Sequence, residues 1–72
     1  MNSAIKLLDV VALTSDLPDR KLRRGQVGTV VEELATDVYE VEFCDDKGRT
    51  CALLALPAEH LMVLHYQPAQ AG

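Results

Sequence analysis

Four basic residues, Arg20, Lys21, Arg23 and Arg24, stand directly before two glycines, Gly25 and Gly28, in and around the stretch LRRGQVGTVV (residues 22–31). Cationic side chains beside glycines are the raw material of a phosphate cradle. Such a cradle also needs consecutive backbone N–H groups that converge at a helix N-terminus or a nest. Here the glycines lead into a β-branched run, no lysine followed by Ser or Thr comes after Gly28, and no helical segment follows. Neither the P-loop nor the dinucleotide fingerprint is present. The plain structural reading is that Gly25 ends a loop at positive φ, and that Gly28 permits a bulge or a close backbone approach where a sheet curves.

The remaining groups able to do chemistry are His60, His65, Cys44, Cys51 and the carboxylates. The two histidines are five positions apart and the two cysteines seven, which matches no finger or ribbon of metal ligands. A Cys–His nucleophile pair needs the two side chains brought together and the thiol pKa lowered. Nothing in the spacing supplies the first, and no helix N-terminus is available for the second. The sequence therefore leads us to expect no catalytic residue, no metal and no cofactor. The cysteines read as small strand residues and, in a chain with no export signal, as reduced thiols.

Charge narrows the partners. Seven basic and eleven acidic residues give a net charge of −4, which repels polyphosphate at long range. The distribution is two-sided, with Arg20, Lys21, Arg23 and Arg24 followed by Glu32, Glu33, Asp37, Glu40, Glu42, Asp45 and Asp46. The aromatic residues are Tyr39, Phe43 and Tyr66. Nucleic-acid binding by stacking, and capture of proline-rich peptides, both require more exposed rings than that. The first sixteen residues, MNSAIKLLDVVALTSD, carry one lysine and then an aspartate within the apolar region. They read as neither a signal peptide nor a membrane span, so a cytoplasmic protein is expected.

The elements that must position these residues are short. Seventy-two residues form a single domain, and with 49% apolar but only 4% aromatic residues its core is built from Val, Leu and Ala. Residues 9–14 (DVVALT) read as a first strand, and residues 15–25, which include Pro18, as a broad excursion. Residues 26–34 make a second strand, with a turn at residues 35–37. Residues 38–44 (VYEVEFC) are the clearest strand, because Tyr39, Val41 and Phe43 alternate with Glu40 and Glu42. The DDKGR turn places Gly48 where a hairpin needs positive φ. Residues 50–56 return as a fourth strand, Pro57 opens a helical turn over residues 57–60, and residues 61–64 close as a fifth strand. The core spans about residues 4–65, and residues 66–72 form a frayed tail. Five strands, a long first loop and one helical turn before the last strand describe an all-β, SH3-like barrel whose closure removes its exposed edges.

With that order in place, the chain resembles the bacterial family termed domain of unknown function 4926. The resemblance rests on Leu17-Pro18, on LRRGQVGTVV, on Tyr39-Glu40-Val41-Glu42-Phe43 and on Ala55-Leu56-Pro57, over about residues 4–65. It implies the barrel and no activity. It also implies an aromatic residue where Cys51 stands, and hence a looser core. The G-x-x-G-x-V hairpin alone is similar to KOW motifs and to the nitrile hydratase β-subunit barrel.

The expected function is a non-enzymatic protein-interaction module, an accessory subunit or a regulator of a neighbouring protein. The alternative is a KOW-like RNA-binding barrel that uses the loop arginines. Arg20, Lys21, Arg23 and Arg24 are candidate partner contacts, against a solvated loop balanced by Glu32 and Glu33. Residues 51–56 and 61–64 lose the apolar–polar alternation that a monomeric barrel strand should show. Either the strands use both faces internally, or a second copy covers one face through Leu53, Leu54 and Met62 in a homodimer, with the remaining partner of the module unknown.

Overall fold

The structure is a computed structural model, and it describes residues 5–65. The tail expected at residues 66–72 lies outside the described residues. The fold is all-β. Strands β1 (Val10–Leu13), β2 (Val27–Ala35), β3 (Val38–Cys44), β4 (Thr50–Pro57) and β5 (Leu61–Val63) form one antiparallel sheet in the order β4-β3-β2-β1-β5. A one-turn 3₁₀ helix, Pro18–Arg20, interrupts the first loop, and a second, Ala58–His60, precedes β5.

The core follows from the alternation of the strands. Val11, Leu13, Val30, Tyr39, Val41, Phe43, Leu54, Leu56 and Leu61 all point to one interior, and Leu22 joins them from the loop. Register sets the packing. Phe43 pairs with Gly28 on one side and with Ala52 on the other, so the largest fully buried side chain lies between two of the smallest residues. Burying a side chain of the Leu or Phe class stabilises by about 1.5–3 kcal/mol, and no charged residue among the described ones is buried in this interior.

Turn chemistry sets the ends. Gly48 has φ +84, and its N–H donates to the Asp45 carbonyl at 3.0 Å, as the β3–β4 hairpin requires. Asp37 takes the left-handed conformation at the tip of the β2–β3 hairpin, which a short polar side chain tolerates. Its carbonyl accepts the Ala58 N–H at 2.8 Å, tying that tip to the second 3₁₀ turn.

Three sequence expectations change. Pro57 is the last residue of β4, with extended backbone (φ −73, ψ 154), and does not open the helical turn. Its fixed φ suits both states, and the tie from Ala58 to Asp37 delays the turn by one residue. The proline that does start a helical turn is Pro18. Finally, the sheet is not closed by hydrogen bonds, because β4 and β5 are the two ends of the strand order and are joined through the second 3₁₀ turn.

Candidate functional site

The loop between β1 and β2 is ordered around Leu22. This side chain is 4% exposed and belongs to the core, so it pins the middle of an otherwise polar segment. Leu17 and Leu22 exchange two backbone hydrogen bonds, at 2.9 and 3.2 Å, across the first 3₁₀ turn. Lys21 turns the chain with φ 60, and its N–H donates to the Pro18 carbonyl at 3.1 Å. Two side chains fix the next residues: the Asp16 carboxylate accepts the Arg24 N–H at 2.8 Å, and the Gln26 amide oxygen accepts the Arg23 N–H at 3.2 Å. Gly25, with φ +89, returns the chain to β1 by donating to the Leu13 carbonyl at 2.7 Å.

On that frame Arg20, Lys21, Arg23 and Arg24 are all exposed. The expected balance with Glu32 and Glu33 is not made by close contact. Among the described residues the only ion pair is Arg49 with Asp45, at 2.8 Å in the β3–β4 hairpin. A shallow cleft of about 340 Å³ opens beside the loop, lined by Asp16, Pro18, Lys21, Leu22 and Arg23. Its lining combines the apolar Pro18 and Leu22 with the cations of Lys21 and Arg23 and the carboxylate of Asp16, which already accepts the Arg24 N–H. An arrangement of that kind can receive a side chain with an apolar stem and an anionic end.

Sequence reasoning found the four basic residues but missed the parts that hold them, namely Asp16, Leu22 and Gln26. The available signals were the Pro at the first helical position and an Asp placed to accept backbone N–H groups. Gly28 serves by close approach, since a Cβ there would lie 2.8 Å from Phe43 and Val41 side-chain atoms. The bulges of β2 fall later, between Val30 and Glu32 and between Glu33 and Ala35.

The adjacent leucines separate as strand geometry demands. Leu54 is 5% exposed and sits in the core, so it leaves the set of partner contacts, whereas Leu53 is 53% exposed. Met62, also 53% exposed, lies on β5 at the far end of the strand order from Leu53. The reading that both faces of β4 are used internally therefore fails, because Cys51, Leu53 and Ala55 all face outward and are exposed. Cys51 is for the same reason no core position, so a small side chain there does not loosen the interior.

The structure does not assemble the Cys–His pair. Both thiols are free and exposed, and that of Cys51 donates weakly to the Arg49 carbonyl at 3.7 Å. The His60 Nδ1 atom is buried and has no hydrogen-bond partner among the described residues. No group of three or more His, Cys, Asp or Glu side chains among the described residues is placed to hold a metal ion. No helix among them is long and apolar enough to cross a membrane.

Compared with known proteins, the chain matches the family model described as "Domain of unknown function (DUF4926)" over residues 7–63. No curated protein and no solved structure matches the chain.

Proposed function

The chain belongs to the DUF4926 family, and from that premise we propose that it is a cytoplasmic protein-interaction module without catalytic activity, which docks an acidic segment of a partner protein on the β1–β2 loop. The observation that carries this reading is the combination of four exposed, unpaired basic side chains with a loop backbone already fixed by Leu22, Asp16 and Gln26. Cations on a mobile loop lose ordering entropy on binding, whereas cations on a fixed one lose less, so their attraction converts more fully into affinity. Glu32, Glu33, Glu40 and Glu42 steer an acidic partner away from the surface of β2 and β3 that carries them and toward this loop.

The same observation bears on RNA. Tyr39 and Phe43, the aromatic residues among the described ones, are both buried and offer no face on which a base can stack. Phosphate contact alone would then have to work against the net charge of −4.

Nuclear magnetic resonance titration with a short glutamate-rich peptide and with an RNA hairpin, each at low and physiological salt, tests the reading. The expected result is chemical-shift change confined to Asp16, Lys21, Leu22, Arg23 and Arg24 on adding the peptide, and its loss in Arg23→Ala/Arg24→Ala. Tight RNA binding that falls steeply with salt and disappears in the same variant would overturn it.

A further inference from the structure

The two ends of the sheet are unequal. β5 is three residues long, and short edge strands are one of the ways proteins avoid unwanted pairing. β4 is eight residues long, contains no charged residue, and pairs in regular register with β3 from Ala52 to Pro57. Among the described residues no strand lies on its other side. The one irregularity is the bulge at Cys51, near the start of the strand; from Ala52 to Leu56 no inward charge, proline or bulge interrupts this edge. Its outward residues Cys51, Leu53 and Ala55 add an apolar surface next to the free backbone.

We propose that the free edge of β4 is a self-pairing site, at which a second copy of the chain adds its own β4 antiparallel about a two-fold axis through Leu53. The inference does not depend on what the β1–β2 loop binds. In an antiparallel pair, residues directly opposite share a face of the sheet, so a two-fold register must pair positions of equal parity. Centring on Leu53 sets it against its own copy, Cys51 against Ala55, and Ala52 against Leu54. The two exposed leucines then cover each other, and small residues on either side leave them room.

Charge points to a second copy and to this direction. The hairpin at one end of β4 carries Lys47 and Arg49 together with Asp45 and Asp46, and is neutral as a unit. The other end carries Asp37, whose carbonyl accepts the Ala58 N–H, and Glu59 in the 3₁₀ turn. The antiparallel arrangement brings Arg49 opposite the partner copy's Pro57 position and Lys47 toward the end that bears the two acids. A parallel arrangement would place Asp37 and Glu59 against their own copies. A symmetric interface of this kind closes after two chains, because pairing uses up the edge of each.

Sedimentation equilibrium from micromolar to millimolar concentration tests the proposal. The mass should rise from one chain to two, and Leu53→Asp, which sets two carboxylates face to face, should weaken the dimer by about tenfold or more while leaving the circular-dichroism spectrum unchanged. A second arm covers the case in which that variant does not fold. In a chain carrying Cys44→Ser and Cys51→Ser, Leu53→Cys places two thiols directly opposite, at the roughly 4.5–5.5 Å Cα separation that a disulfide accepts. Oxidised glutathione should cross-link it faster than the equally exposed control Met62→Cys. A single-chain mass at every concentration, a dimer indifferent to folded Leu53→Asp, or cross-linking no faster than that of the control would each overturn the proposal.

Discussion

Gly28 and Phe43 face each other across β2 and β3 so closely that a methyl group on Gly28 would lie 2.8 Å from Cδ1 of the ring. The same methyl would lie 2.9 Å from the Glu42 carbonyl oxygen, which is backbone and cannot swing aside. The glycine is required here for space and not for conformation, since its φ is not among the positive ones. Gly28→Ala should therefore destabilise by about 1–3 kcal/mol through overpacking, read as a lower urea midpoint. An unchanged midpoint would mean that the ring has another place to go.

Leu8 tests backbone strain without packing. It holds φ 71 and is 74% exposed, so a bulky residue occupies a left-handed position with little burial in return. The left-handed conformation costs an L-residue about 1–2 kcal/mol. Leu8→Gly should thus be neutral or stabilising in chemical denaturation, whereas most losses of a large apolar side chain are destabilising. A clear loss of stability would show that the Leu8 side chain makes a contact that matters.

Asp45 carries the acid sensitivity of the β3–β4 hairpin. Its carboxylate accepts the Arg49 N–H and the Lys47 N–H, each at 2.9 Å, and the Arg49 guanidinium. The Arg49 backbone hydrogen bond is the main cause that holds its pKa below the ordinary 3.8, partly opposed by desolvation. A depressed folded-state pKa means that the stabilisation is complete above 3.8 and is lost as pH falls below that value toward the folded pKa. Asp45→Asn should remove that part of the acid transition, and an identical pH profile for variant and wild type would contradict the assignment.

Much of this fold is legible in the sequence because period-2 alternation and turn residues act locally. Tyr39, Val41 and Phe43 mark β3 to the residue, and Gly48 marks its hairpin. What local pattern could not supply is set by distant partners. Pro57 satisfies a strand end and a helix start equally until Ala58 bonds to Asp37, and whether β4 meets β5 depends on the course of the whole sheet. Between Leu53 and Leu54, alternation requires opposite faces but does not say which is inside. The basic residues of the site could be read directly, whereas their support could not, because Leu22 looks like one apolar residue in a charged loop until the core that receives it is known.

The loop's frame and its cations should be separable by mutation. Arg20→Gln, Lys21→Gln, Arg23→Gln and Arg24→Gln together should change stability by no more than about 0.5 kcal/mol, as surface substitutions outside caps and cores do. Leu22→Ala should cost about 2–5 kcal/mol by opening the core beneath them. Thermal unfolding of the two variants checks both values, and a large loss in the first would mean that the charges hold the fold.

The docking claim meets its most direct test in affinity purification from the native host at physiological salt, comparing the wild-type chain with that fourfold glutamine variant by quantitative mass spectrometry. The account predicts that a protein with an acidic segment is retained by the wild type and lost from the equally folded variant. The same proteins held by both chains, or RNA as the material that the variant loses, would contradict it.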